Sequence, residues 1–584
     1  MSYTPSPARD YDVLVVGSGI AGLSTAIAAA HRGLRVVVAE QNPYFGGTTA
    51  ISAGWAWVPG NPAGQKAGDS KDEVKTYLKA LAPENFNEER IDTFLDTVPE
   101  AINFFENHTE VNFVYPEKAP DYQMDLPGAR IGGRAILPGD ADARILGKRR
   151  KELQPYLSSY TVFGYMPQVG DDLTQFLYAN RSLKSFAYAG TKLTRTWFDQ
   201  LTKGQPIKRT NGSAMITRMV KSALDAGVEI WTSTPVESLI QHDDGAITGA
   251  VLGGGRHSGA ANARYGVVLA GGGFTGNATL RRKYFEHDPE GTNHITPTVG
   301  HNGSSAVLAI NAGGQISNDV FTPGSWAPVT EFKQLSDDRQ RLFPHLRQIG
   351  LPGMITVDRR GKRFGNEALS YHDFGRQLLE HDKNETDTYA WIIADEKCMD
   401  TYGIGYAKPW PIPRQYFYDT GFLLKATTLR ELAEKIGADP AVLEATVERF
   451  NGFARKGEDE DFGRGSTAYN HFRGDPSHKP NPNLAELKKA PYYAVRIRMG
   501  DLGSFAGLDV DNDAAVLNTA GQQIAGLYAV GAAAVSVFGG GYPGYGSHIG
   551  PAMVFGYRLG RDIGSRGVAQ SVDNSTHSMT SARR

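Results

Sequence analysis

Gly17, Gly19 and Gly22, with Glu40 further along, are residues whose types and spacing suit a pyrophosphate and a ribose. Gly17 allows a tight turn, Gly19 lets backbone approach a phosphate, and Gly22 permits close packing of a helix on a strand. Ile20 and Ala21 open a helix whose N-terminus offers unpaired N–H groups and a positive dipole end. Glu40 is placed to accept hydrogen bonds from ribose hydroxyls. A second small-residue loop follows directly, Gly46-Gly47-Thr48-Thr49 and then Ser52, Ala53 and Gly54. A bulky isoalloxazine ring needs such a loop, because backbone must lie against it with no side chain between. The cofactor expected is therefore FAD rather than NAD.

The elements that must position these residues can be read around them. Val13 to Val16 is a β-branched apolar run of the buried parallel type, and Leu34 to Ala39 is a second that ends in Glu40. With the Ala-rich stretch between, they make one βαβ unit. Tyr265 to Ala270 reads as another strand of the same sheet, running into a glycine turn that brings Gly272 to the cofactor. Gly526 to Gly531 reads as a closing strand and turn, and a helix over Pro551 to Arg561 follows; Gly531 and Ile549 are further cofactor contacts. Asn211 to Ala226 is an amphipathic helix ended by Gly227. Three β-type runs come next, Val228 to Trp231, Pro235 to Gln241 and Ala246 to Leu252, with a hairpin-type turn at Asp243-Asp244-Gly245.

Ser70 to His108 has the spacing of two surface helices, and Thr428 to Gly452 reads as a helical run. Residues 110 to 205 show few clear periods, but Pro120-Asp121-Tyr122 and Pro127 to Arg134 stand out, as the wall of a pocket or as ordinary packing. The expected architecture is α/β. A Rossmann-type FAD-binding domain, a parallel sheet with a β-meander insertion, takes residues 1–313 and 489–565. A smaller α+β catalytic domain takes 314–488, and 566–584 is a flexible tail. Residues 1 to 10 read as a loose leader.

At 584 residues the chain calls for two or more domains, and its net charge of −2 offers no electrostatic case for nucleic acid or an anionic membrane. The single cysteine, Cys398, rules out an internal disulfide. Val13 to Ala30 has the apolarity of a signal-peptide core but is interrupted by three glycines and lacks a basic flank. No stretch approaches the ~18 apolar residues of a membrane span. A cytoplasmic protein is expected, with no metal site.

Three further motifs now come into play: Gly46 to Asn61 (GGTTAISAGWAWVPGN), Asp358 to Glu367 (DRRGKRFGNE) and Tyr542 to Met553 (YPGYGSHIGPAM). With the N-terminal fingerprint, they resemble the flavoproteins that include succinate dehydrogenase and fumarate reductase, and within that group the 3-ketosteroid Δ1-dehydrogenases. The similarity covers nearly the whole chain. It implies that the Tyr542 hydroxyl and the Gly546 N–H hold a substrate carbonyl, stabilising enolate character on its oxygen. It also implies a tyrosine base for the α-proton, with flavin N5 taking the β-hydride. Tyr371 is the expected base and Tyr122 its support; Tyr160, Tyr165 and Tyr188 are the alternatives. A neighbouring hydroxyl and a helix dipole are what would bring such a tyrosine toward neutral working range.

Two departures bear on the substrate. Tyr545 stands where the family often has proline or another small residue, and the segment from 135 to 205 is longer than the resemblance suggests. The substrate expected is a 3-ketosteroid, desaturated at the 1,2 position, with a small cyclic ketone such as a cyclohexanone as the alternative. An external electron acceptor completes the reaction. Two rivals remain open. A fumarate-reductase-like enzyme would use His294, His301 and Arg363, although its substrate arginine is replaced here by the Tyr542 turn. The other is a flavin-binding protein without turnover.

Overall fold

The computed structural model describes residues 9–334 and 340–581, with backbone alone over 567–581. Of the loose leader expected over residues 1 to 10, residues 1–8 lie outside the described residues.

The β-branched run Val13–Val16 is fully buried and forms the middle of a six-stranded sheet. In sheet order the strands are Ala515–Leu517, Gln523–Ala529, Val267–Leu269, Val13–Val16, Val36–Ala39 and Glu229–Trp231. All neighbours are parallel except the first pair, with Val13 opposite Val36 and Val267 opposite Leu14. Both faces are covered, which is why the central strands carry no polar alternation. The helix Ile20–His31 is buried from Ile20 to Ala29 and lies against the closing helix Ile549–Ser581. That contact is as close as backbone allows: a Cβ on Gly556 would stand 2.6 Å from Ala21 O, and one on Gly560 2.3 Å from Thr25 O.

The hairpin at Asp243-Asp244-Gly245 joins Val236–Gln241 to Ile247–Leu252, which pair antiparallel in a four-stranded sheet with Gly259–Ala263 and Arg9–Tyr11. Glu229–Trp231, read beside them in sequence, belongs to the large sheet instead.

A separate antiparallel sheet runs Gln340–Pro344, Gly324–Lys333, Tyr492–Ser504, Tyr389–Asp395 and Met354–Val357, with Leu424–Ala426 also on Tyr492–Ser504. The cofactor domain was expected to resume at 489, yet the 13-residue strand Tyr492–Ser504 is central to this second sheet. Apolar composition alone cannot say which of two sheets a strand joins. The helical run expected over Thr428 to Gly452 is two helices, Leu429–Ile436 and Pro440–Lys456, separated where Gly437 takes a left-handed conformation (φ 73°). The backbone of the tail read from 566 continues the closing helix as far as Ser581; residues 582–584 lie outside the described residues. No helix among the described residues is long and apolar enough to cross a membrane.

Candidate active site

A continuous cavity of about 1780 Å³ joins the N-terminal glycine turn to the Tyr542 turn. At its first end the βαβ geometry does the positioning. Gly17 has φ 101°, and a Cβ there would meet Ala270 O at 2.6 Å; a Cβ on Gly22 would stand 2.1 Å from Gly17 O. Gly19 differs. The nearest atom a Cβ would meet is Thr49 Oγ1 at 3.9 Å, so the protein leaves this space free. A phosphate fits the cradle that Gly19 and the helix N-terminus leave. Glu40 is 5% exposed and held by four donors. Its Oε2 accepts from Ser18 N–H (3.1 Å) and Oγ (2.6 Å), and its Oε1 accepts from Asn42 N–H (2.9 Å) and Nδ2 (3.1 Å).

The second loop is equally braced. Ser52 Oγ donates to Thr49 O (2.8 Å) and accepts from Gly54 N–H (3.0 Å), while Thr48 Oγ1 and the Val299 backbone exchange two bonds of 2.9 Å. Every residue read as a cofactor contact lines the cavity except Gly22 and Gly46. Gly22 is spent on helix–strand packing. Gly46 takes a left-handed φ of 111° before the helix Gly47–Ile51, with Ala50 and Ile216 filling the space a Cβ would need. The small-residue walls of this end fit a dinucleotide and a flat ring.

At the far end three tyrosines from three separate segments meet. Tyr122 O–H donates to Tyr371 (3.1 Å), and Tyr371 O–H donates to Tyr542 (2.7 Å). The Tyr122 and Tyr542 rings stack at 5.3 Å, and Tyr371 stands edge-on to both. Tyr542 accepts from Tyr371, so its own O–H remains for another acceptor. Gly546 also lines the cavity, and among the described residues no acceptor takes its N–H.

Each of these groups is fixed from behind. A Cβ on Gly546 (φ 90°) would stand 2.1 Å from Trp55 O, and Trp57 N–H donates to Gly546 O (3.2 Å). The GWAWVPGN motif is therefore the bed on which the Tyr542 turn lies. Tyr122 N–H and Tyr77 O–H both donate to Pro543 O, at 3.0 and 2.7 Å. The two stretches singled out near Tyr122 are tied together, with Asp121 accepting from Trp57 Nε1 (2.9 Å), Arg130 N–H (3.0 Å) and Arg134 (2.7 Å). Tyr371 is the first residue of the helix Tyr371–His381, capped by Ser370, so the positive helix end lies at its backbone. The DRRGKRFGNE motif anchors that helix, Asn366 N–H donating to Gln377 Oε1 (3.0 Å) and Asp358 Oδ2 pairing with His381 Nε2 (3.1 Å). Burial pushes the Glu367 carboxyl up, but the guanidiniums of Arg363 and Arg464 outweigh it and hold the carboxyl well below its usual range.

Burial raises all three site phenols. Tyr542 is pushed up to about 12, with the hydrogen bond from Tyr371 acting against the shift. Tyr371 lies well above the ordinary phenol value, from burial first and Tyr542 second, while the bond from Tyr122 lowers it. His548, in the same wall, is pushed down to about 4 by burial and bonds Ser325 Oγ at 2.8 Å.

Of the alternative tyrosines, Tyr165 and Tyr188 bond the two oxygens of Asp172 (2.8 and 2.9 Å), and Tyr160 bonds Pro344 O (3.4 Å); none joins the hydroxyl chain. The residues of the fumarate-type reading do not converge. Arg363 is held by Glu367 (2.7 Å) and Asp459 (2.9 Å) outside the cavity, and His294 is paired with Asp501 (2.7 Å); His301 lines the cavity wall. Two cavity residues, Arg347 and Arg473, have no signal in the sequence, because neither sits in a motif and burial of an arginine leaves no pattern.

Comparison with known proteins bears on the same geometry. The FAD binding domain family matches residues 12–549. The chain is 64% identical over 552 residues to a 4-oxocyclohex-2-ene-1-carboxylate 5-dehydrogenase of Sinomonas cyclohexanicum, covering 94% of this chain and 93% of the relative. It is 34% identical over 574 residues to a 3-oxosteroid 1-dehydrogenase of Mycolicibacterium smegmatis, covering 96% and 98%. Among solved structures, the 3-ketosteroid Δ1-dehydrogenase of Sterolibacterium denitrificans, in complex with 1,4-androstadiene-3,17-dione, superposes with a TM-score of 0.86 at 32% identity, covering 96% of this chain and all of that one. FAD is the cofactor, and the chain is a dehydrogenase of the FAD-binding flavoprotein family, of the 3-ketosteroid Δ1-dehydrogenase type.

Proposed function

We propose that Tyr542 and Gly546 hold the carbonyl of a six-membered cyclic ketone while Tyr371 removes a proton from the adjacent carbon, giving an α,β-unsaturated product. What supports this most is the hydroxyl chain Tyr122–Tyr371–Tyr542 at the end of the cavity that begins at the cofactor glycines. Loss of the α-proton puts negative charge on the carbonyl oxygen. Two donors already fixed in place stabilise that charge without reorganising. Tyr371 acts as the phenolate, with the Tyr122 O–H stabilising it. Bound FAD supplies the acceptor of the hydride that leaves the β-carbon. The substrate thus gives up one proton and one hydride, and an external electron acceptor takes the two electrons onward.

The first expectation was a 3-ketosteroid, desaturated at the 1,2 position. We take a small ring instead, because the relative at 64% identity is named for an oxocyclohexene carboxylate and the steroid relative stands at 34%. Tyr545, filling the position read as small in the steroid enzymes, supports the same choice. The test is anaerobic: 4-oxocyclohex-2-ene-1-carboxylate should bleach the bound flavin, and a 3-keto-4-ene steroid should do so far more slowly. Flavin left oxidised by every cyclic ketone, together with turnover of fumarate by reduced enzyme, would overturn the reading.

A further inference from the structure

Arg473 is 2% exposed and lines the cavity beside Arg347 and Tyr545. One terminal nitrogen donates to Leu346 O and, at 3.3 Å, to the Tyr469 hydroxyl. Among the described residues its Nε and its other terminal nitrogen are buried without a well-aligned hydrogen-bond acceptor, although the Tyr545 hydroxyl lies close to the guanidinium, and Arg347 Nε likewise finds none. The carboxylate close by in sequence, Asp475, is already taken by Tyr178 (2.8 Å), Arg181 (3.1 Å), Tyr402 (2.6 Å) and Ser477 (2.6 Å). A buried guanidinium without a counter-ion is costly, and a planar fork of free N–H donors is the shape that takes a carboxylate through two bonds.

Position completes the argument. The Tyr122 ring lies 5.3 Å from that of Tyr542, and 4.8 and 4.9 Å from those of Tyr545 and Tyr469. The Arg473 guanidinium is 5.7 Å from the Tyr469 ring. A row of aromatic rings thus links the proposed carbonyl clamp to the guanidinium along one cavity, a setting suited to a ring that carries a ketone at one end and a carboxylate at the other. The geometry points to Arg473, with Arg347 beside it, as the site that binds a carboxylate carried by the substrate ring. This rests on the ketone-desaturase reading and adds the substrate's charge to it. It also gives Tyr545 a task, as the wall between the clamp and the arginines.

The test compares 4-oxocyclohex-2-ene-1-carboxylate with its carboxamide, the same shape without the charge. Wild-type enzyme should favour the acid in kcat/KM by roughly 100-fold, as a buried charge pair would. Arg473→Gln, checked for bound FAD, should lose about that factor on the acid, mainly in KM, while the amide changes by less than about 3-fold. Arg473→Lys should recover part of the loss. Should Arg473→Gln fail to retain FAD, Arg347→Gln is read by the same ratio. Equal losses on acid and amide, or a wild-type enzyme indifferent between them, would overturn the carboxylate site while leaving the desaturase intact. A wild-type flavin bleached by neither compound would instead overturn the desaturase reading itself.

Discussion

The two glycine turns at the ends of the cavity are built on opposite principles. Around Gly17–Gly22 the protein satisfies itself: Glu40 is met by four donors, and Gly22 is pressed against Gly17 O. Around Tyr542–Gly546 it leaves groups unspent among the described residues, namely the Tyr542 O–H and the Gly546 N–H, with unpaired guanidinium nitrogens further along the wall. The first turn is a rigid seat whose ligand meets backbone. On the proposed reading, the second is a set of donors waiting for charge that exists only when a substrate is present, the arrangement in which preorganisation helps a reaction most. Substitutions should therefore fail in different ways at the two ends.

The largest effect belongs to the seat. Gly22→Ala puts a methyl 2.1 Å from Gly17 O and should destabilise the fold by at least about 3 kcal/mol, seen as loss of folded holoprotein. Gly19→Ala, with nothing of the protein closer than 3.9 Å, should fold and instead bind FAD poorly. If both variants lose FAD while keeping the same melting temperature, the division between packing and ligand glycines is wrong. Next come the tyrosines to which the proposal assigns the chemistry. Tyr371→Phe should keep FAD and lose roughly 10⁴-fold in the rate of flavin reduction by ketone, as expected for removal of a base. Tyr542→Phe should lose about 10²–10³-fold, the cost of one oxyanion donor. A near-native rate in either would remove that residue from the chemistry. Glu40→Ala acts only on the seat. It should weaken FAD binding roughly 10–100-fold, measured by flavin release on dilution, and leave the rate of the remaining holoenzyme unchanged.

The same contrast explains what could be read in the sequence. The seat is local: strand, turn, helix, second strand and acid all fall between Val13 and Gly54, so spacing alone carried the cofactor. The ketone end draws Tyr122, Tyr371, Tyr542 and Gly546 from segments more than a hundred residues apart, or from one short turn. No spacing rule connects them; they were legible only through motifs shared with a known family. Those motifs turn out to be supports as much as candidate actors, since Trp55 and Trp57 brace Gly546, while Asn366 and Asp358 hold Gln377 and His381 of the Tyr371 helix. Arg347 and Arg473 lay outside every motif. What singles them out is buried guanidinium nitrogens that find no acceptor among the described residues, which only the folded chain displays. Tyr492–Ser504 was misassigned for a related reason: an apolar strand fits either sheet until its neighbours are known.

Tyr122 is the residue that joins the two ways of reading, and its removal should have the smallest effect. Burial raises the Tyr371 phenol, and the hydrogen bond from Tyr122 is the contact that pulls it back. As the proposed base, Tyr371 must be deprotonated to act, so the rate of flavin reduction should climb with pH into the alkaline range rather than peak near neutrality. Tyr122→Phe deletes the donor that favours the phenolate, so the Tyr371 pKa rises further and the whole limb moves to higher pH. At a fixed neutral pH the loss should be about 5–10-fold, the worth of one ordinary hydrogen bond, and it should shrink as pH rises. A structural role for Tyr122, as packing between Tyr542 and Tyr545, would lower the rate by one factor at every pH. The slope of the ratio of the two enzymes against pH separates a support for the base from a wall of the pocket.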